Sequence, residues 1–129
     1  MKVQNFEDLA IYQKSCELAT QVYKITRTGE FKFDTRFVQQ IRASAGSVSD
    51  NIAEGFERQG NKEFINFLYI AKGSCGEMRS QITRAHNVGF IDDETFNQMY
   101  TDCKKLSASI LKFIQALKTS DVSGSRYLV

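Results

Sequence analysis

The 129-residue chain contains no proline. Proline lacks a backbone N–H and its ring clashes with the preceding helical turn, and a chain of this length ordinarily carries several. Without it, long uninterrupted helices become the expected element and glycine becomes the main punctuation. Gly29, Gly60 and Gly89 divide the chain into four stretches. The helices expected within them are each about 23 to 29 residues, or roughly 35–43 Å long at 1.5 Å per residue.

Capping residues sit where those breaks require them. Asn5 is placed to cap a first helix from about Phe6 to Thr28, with Glu7 and Asp8 in the first turn, where exposed N–H groups favour negative charge. Asp34 opens a second helix reaching about Gln59, and Gly60-Asn61 supplies a break and a cap for the third. The third ends near Val88 at Gly89, and Asp92, followed by Asp93 and Glu94, opens a fourth that reaches about Thr119.

Apolar residues then recur at steps of three and four. Val38, Ile41, Ala45, Val48 and Ile52 form one stripe, and Leu68, Ala71, Cys75, Met78, Ile82 and Ala85 a second. Phe96, Met99, Cys103, Leu106, Ile110, Phe113 and Leu117 form the third. A mean period of 3.5 keeps one seam facing a partner helix. The first segment is apolar on a wider arc, through Leu9, Tyr12, Cys16, Ala19 and Tyr23 on one side and Ile11, Leu18, Val22 and Ile25 on the other. Such an arc suits two contacts, one to the bundle and one to another subunit. The fold class predicted is all-α, an antiparallel up-down-up-down four-helix bundle over residues 1–119. Residues 120–129, with Ser123-Gly124-Ser125, lose the heptad and are expected to form a flexible C-terminal tail, whose Tyr127, Leu128 and Val129 could dock on a neighbour.

Composition excludes several chemistries. Three cysteines, Cys16, Cys75 and Cys103, form no Cys-x-x-Cys pair, and a single histidine, His86, rules out a site of two imidazoles within one chain. A di-iron bundle needs two Glu-x-x-His pairs, and here Thr83 stands three residues before His86. His86 is expected instead at a helix end, against the helix dipole. The cysteines lie on apolar stripes and are expected to pack in the core. Asp50, Glu54 and Glu57 cluster, but without a pocket such carboxylates form a solvated face or ion pairs with Arg58. Gly73-Ser74-Cys75-Gly76 lacks phosphate-loop spacing, and with Ala43, Ser44, Gly46 and Ser47 it is read as small residues that let helix axes approach. No enzymatic activity, cofactor, metal or small-molecule substrate is expected. Acids precede any apolar run at the N-terminus, so no membrane association and a cytoplasmic location are expected.

The formal charge of +2 lacks the signature of a dedicated nucleic-acid binder. Its distribution is uneven, however: Lys62, Tyr69, Lys72, Gly76 and Arg79 fall near one stripe of the third helix. Arg42, Arg58, Lys62, Lys72, Arg79 and Arg84 are the candidate phosphate-contacting residues of an interface with RNA or DNA. The rival expectation is a structural or protein-interaction module that recruits its partner through the first helix.

Phe6-x-x-Leu9 followed by Tyr12-Gln13-Lys14, then Gln40-Ile41-Arg42-Ala43-Ser44, Asn51-Ile52-Ala53-Glu54-Gly55 and Phe67-Leu68-x-Ile70-Ala71-x-Gly73-Ser74, carry a family resemblance. Over about residues 6 to 118 the chain resembles the bacterial four-helix bundle family encoded in intervening sequences of large-subunit ribosomal RNA genes. That family is similar in turn to the accessory variability determinant of diversity-generating retroelements, a pentameric barrel that binds nucleic acid and a reverse transcriptase. The resemblance implies a non-catalytic homo-oligomer, a pentamer, with nucleic acid as partner; the reverse transcriptase is not carried over. Two departures stand out: Tyr12 occupies a place where the family often has tryptophan, and Glu30-Phe31-Lys32-Phe33 lacks the family's usual proline. The resemblance also marks Asn51, Glu54, Gly55 and Gly73 as a structural motif, in which the Asn51 amide and a paired Glu54 fix helix register or a subunit contact.

Overall fold

The structure, a computed structural model, describes residues 3–119. Those residues form four helices, α1 (Ala10–Ile25), α2 (Thr35–Glu57), α3 (Asn61–Asn87) and α4 (Asp93–Lys118), with 3-10 turns at Phe6–Asp8 and Phe31–Phe33 and no strand. The expected tail at 120–129, with Tyr127, Leu128 and Val129, lies outside the described residues. Cross-helix bonds join residues whose numbers run in opposite directions, Ser47 with Ser74, Gln40 with Arg84, and Asn61 with Leu117, as antiparallel neighbours require.

Local chemistry explains most helix ends. The Asp34 carboxylate accepts the Phe37 N–H at 3.1 Å, and Asp92 accepts the Thr95 N–H at 2.8 Å, each occupying a donor that the first turn leaves free. Gly29 (φ +59°) and Gly89 (φ +84°) take the left-handed conformation that turns the chain after α1 and α3.

Two boundaries differ from expectation. The first helix starts at Ala10, not Phe6, and the Asn5 side chain makes no cap bond. Leu9 is extended (φ −75°, ψ 131°) and buried, Val3 is buried, and the Phe6 ring lies edge-on to Tyr12 and Phe56 at 4.9 and 6.4 Å. Drawing all three apolar side chains onto the bundle requires the kink, so tertiary burial overrides local helix signals. At the α2–α3 junction Gln59 (φ +70°), not Gly60, adopts the left-handed conformation. Gly60 is extended at the N-cap, and Asn61 sends its amide Nδ2 to the Leu117 carbonyl at 3.2 Å instead of capping α3.

The core follows the heptads closely. Ile41, Ala45, Val48 and Ile52 of α2 meet the buried α3 series from Leu68 to Ala85, and Met99, Cys103, Leu106, Ile110, Ile114 and Leu117 close it from α4. Val38, Phe96 and Phe113 flank that core, partly buried. Phe56, Phe64 and Phe113 plug one end, while Phe31, Phe37 and Phe90 plug the other. In α1 the buried stripe is Ile11, Ser15, Leu18 and Val22; Ser15 donates to the Tyr12 carbonyl at 2.7 Å, which satisfies its buried hydroxyl.

The helices do not pack equally. α3 lies tightly against both α2 and α4, whereas α1 leans on α2 and leaves a groove of about 750 Å³ against α4. Leu18 and Leu106 line this groove, together with Lys14, Gln21, Lys24, Asp102 and Lys105. At Gly55 a Cβ would stand 2.6 Å from Phe67 Cβ and 3.0 Å from Phe64 Cδ1, so this glycine permits the close α2–α3 approach. Gly46, Gly73 and Gly76 have nothing within 4 Å of such a Cβ. Close approach within the chain therefore accounts for Gly55 and not for Gly73, whose backbone faces outward.

Candidate nucleic-acid interface

On α3, Lys62, Tyr69, Lys72, Gly76 and Arg79 recur at helical spacing. On α4, Tyr100, Lys104, Ser107, Leu111 and Lys118 do the same. The two series meet across the α3–α4 seam at both ends. Lys118 Nζ donates to the Tyr69 hydroxyl at 2.8 Å and lies 5.2 Å from that ring's centre. Arg79 and Lys104 lie over the Tyr100 ring at 5.6 and 5.9 Å. The negative faces of the rings hold these cations at the surface without neutralising them.

No carboxylate belongs to either series. The nearby acids turn elsewhere: Glu77 lines a groove on the α2 side with Ala43, Ser44 and Ser47, and Asp102 lines the α1–α4 groove. Lys72, Arg79, Lys104 and Lys118 thus share an acid-free face with two aromatic rings. Lys72 and Arg79 are separated by about 10.5 Å along the helix axis at 1.5 Å per residue. Lys104, Lys118 and Tyr100 escaped the sequence reading, because their partners Arg79 and Tyr69 lie 21 to 49 residues away. Tyr100-x-x-x-Lys104 was the available signal, a ring and a cation one turn apart.

The six sequence-predicted basic residues are not one cluster. Lys62 extends the α3 stripe, and Lys72 and Arg79 form its middle. Arg58 pairs with Glu54 at 2.8 Å and Glu63 at 3.9 Å and lies 5.1 Å over Phe67, so its charge is spent locally; the bond to Glu54 holds its guanidinium pKa above the usual value. Arg42 donates from Nε to Thr26 Oγ1 at 3.0 Å and stacks 4.4 Å over Tyr23, pinning the end of α1 to α2. Arg84 lies 4.3 Å over Phe37 and donates to Gln40 at 3.3 Å. Arg42 and Arg84 occupy the bundle end that carries the α1–α2 connection.

Of the motif residues, Asn51, Glu54 and Gly55 lie in α2 and Gly73 in α3, and Asn51 and Glu54 engage different partners rather than each other. Asn51 donates from Nδ2 to the Ser47 carbonyl at 2.8 Å and to Ser47 Oγ at 3.0 Å, and Ser47 Oγ meets Ser74 Oγ at 2.8 Å. This relay links α2 to α3 at one register. Glu54 is exposed and engaged by Arg58.

Cys75 and Cys103 are buried as expected, whereas Cys16 is only half-buried and lines the α1–α4 groove, because α1 turns Ile11, Ser15, Leu18 and Val22 inward instead. Cys75 Sγ donates to the Cys103 carbonyl at 3.3 Å; hydrogen bonding between the two side chains, with burial, pushes the Cys103 pKa up, while the same bond draws that of Cys75 down. The hydrogen bond to Cys16 is the main cause that pushes the Tyr12 phenol up to about 12. His86 Nε2 meets Asp93 Oδ1 at 2.7 Å and its ring stacks on Phe96 at 4.3 Å, so it has specific partners beyond the helix dipole. Among the described residues, no group of three His, Cys, Asp or Glu side chains is placed to hold a metal, and no helix is long and apolar enough to cross a membrane.

The family model for the 23S rRNA-intervening sequence protein matches residues 7–112. The fold is similar to the crystal structure of a protein with unknown function from the S23 ribosomal protein family of Bacteroides thetaiotaomicron, with a TM-score of 0.74 at 23% identity. That match covers 82% of this chain and 99% of the other, and at such identity it speaks for the fold alone. No curated protein matches the chain.

Proposed function

The chain belongs to the 23S rRNA-intervening sequence protein family, and on that footing we propose that it is a non-catalytic, homo-oligomeric four-helix bundle that binds structured nucleic acid through phosphate contacts. The observation that supports this reading is the acid-free α3–α4 face, where Lys72, Arg79, Lys104 and Lys118 stand among Tyr69 and Tyr100. Fixed cations without intervening carboxylates release counterions from a phosphate backbone and do not discriminate bases. A net charge of +2 makes a single copy a weak binder, and repetition of the face around an assembly multiplies contacts without new chemistry. The pentameric ring is the expectation that comes with the resemblance to the retroelement accessory determinant, and the mass of the assembly in solution tests it.

The interface is tested by fluorescence anisotropy of a labelled RNA hairpin and a matched DNA duplex at two salt concentrations. Saturable binding that weakens with salt is expected. The Lys72→Glu/Arg79→Glu variant should make the negative slope of log affinity against log salt shallower by about 2, since each lost phosphate contact removes about 0.9 from its magnitude. Absence of binding at low salt by the folded protein would overturn the reading. A second reading, a protein-interaction module with no nucleic-acid binding, draws on the α1–α4 groove lined by Leu18 and Leu106; under it the charge reversal changes no partner affinity.

A further inference from the structure

The bundle end that joins α1 to α2 has a surface unlike the α3–α4 face. Phe33 is 77% exposed, yet it belongs to the 3-10 turn whose Phe31 is fully buried against Phe37 and Phe90 at 5.0 and 4.9 Å. The turn is thereby anchored while it holds a bare phenyl ring in solvent, with the Lys32 ammonium 5.1 Å from its centre. Immediately after it, Asp34, Arg36, Phe37, Gln40, Arg84, Val88 and Phe90 enclose a shallow groove of about 280 Å³. Its apolar part is Phe37, Phe90 and Val88, the last 56% exposed. Its polar part is two guanidinium groups and a carboxylate already engaged as the cap of α2. The Arg84 guanidinium lies over Phe37, 4.3 Å from the ring centre, and donates to Gln40 at 3.3 Å.

We propose that this turn and groove bind an unpaired segment of a nucleic-acid strand, one base stacking on Phe33 and its phosphates held by Arg36 and Arg84. The proposal rests on the nucleic-acid reading above and names the part of the ligand that this end takes. Unpaired bases stack on exposed rings and guanidinium planes, whereas paired bases are hidden within the duplex. Charge sets the direction of the strand. On the α4 side Asp92, Asp93 and Glu94 form an acidic run, Asp92 capping the helix and Asp93 meeting His86. On the α1 side stand Arg27 and Arg42, both over Tyr23 at 5.9 and 4.4 Å. The strand runs from the groove toward α1.

The test titrates the full chain into labelled uridine and thymidine decamers and into the DNA duplex. Phe33→Ser should weaken decamer binding at least about fivefold, the loss expected for one stacked base, Arg36→Gln should weaken it and make its salt dependence shallower by about 0.7 for one lost phosphate contact, and both should leave duplex binding within twofold. Both side chains are exposed, and a thermal melt checks that the variants fold. If both variants bind the decamers as the parent does while Lys72→Glu/Arg79→Glu loses decamer and duplex alike, this inference fails and the α3–α4 reading stands. If the parent binds neither decamer nor duplex, both fail. Displacement of the decamer by uridine monophosphate at concentrations near the decamer's own dissociation constant would make the ligand a free nucleotide and overturn the strand assignment.

Discussion

Gly55 offers the sharpest test of how the bundle is held together. In Gly55→Ala the new Cβ meets Phe67 Cβ at 2.6 Å, at least about 1 Å inside the optimal carbon–carbon separation. Phe67 Cβ is fixed to its backbone and cannot rotate away, and Phe64, whose Cδ1 lies at 3.0 Å, is itself buried. The helices must part, and overpacking of this kind costs about 1–3 kcal/mol. A 2.6 Å contact with an atom that cannot move away places the cost in the upper half of that range, about 2–3 kcal/mol, and alanine recovers up to about 1 kcal/mol of helix propensity over glycine, so the net loss is about 1–2 kcal/mol. With an unfolding entropy of about 2.1 cal/mol/K per residue, that lowers Tm by about 4–8 °C for a chain of this size. At Gly73, where nothing lies within 4 Å, the propensity gain stands alone, and Gly73→Ala should raise Tm by about 2–4 °C. Thermal melts followed by circular dichroism at matched concentration, with urea titration to compare slopes, decide the matter. A Gly55→Ala variant as stable as the parent would refute the close-approach argument.

Other perturbations probe separate parts of the structure. Asn51→Ala removes the amide that braces Ser47 in the α2–α3 relay, and should cost about 1 kcal/mol or disperse the proposed oligomer; an unchanged melting curve and mass would count against the relay. The buried Gln81 Oε1 has no hydrogen-bond partner among the described residues, so Gln81→Leu should raise stability by about 1 kcal/mol, read as a higher urea midpoint at unchanged slope, and a lower midpoint would reveal a partner. The Asp92 carboxyl is held below its ordinary 3.8 chiefly by the Thr95 side chain and then by the Thr95 N–H. A depressed folded pKa stabilises above 3.8 and the benefit is lost as pH falls through the lowered value. The stability gap between the parent and Asp92→Asn should therefore narrow between about pH 5 and pH 2, and a constant gap would contradict the assignment.

Legibility varied with how far the controlling partner lay along the chain. Asp34, Asp92, Gly29 and Gly89 act within a turn of themselves, and the structure uses each as its residue type implies. The α3 heptad from Leu68 to Ala85 likewise carries its own periodicity into the core. The kink at Leu9 depends on Phe56, 47 residues away, and no local pattern announces it. Gly55 and Gly73 are indistinguishable as letters; one faces Phe67 and the other faces solvent only after α2 and α3 pair. The candidate basic set divided for the same reason. Arg58 finds Glu63 only because the α2–α3 turn folds back, and the α3 stripe gains Lys104 and Lys118 only when α4 lies beside it.

The unequal packing of α1 bears on how the molecule breathes. α2, α3 and α4 share a continuous seam, whereas α1 is fastened along one side and, at its end, by the Arg42 clasp on Tyr23 and Thr26. Cooperative units of different strength within one small domain open at different free energies. Because α1 is the least tightly packed of the four, its amides, those around Leu18 in the groove it shares with Leu106 among them, are expected to exchange hydrogen ahead of those of α2, α3 and α4.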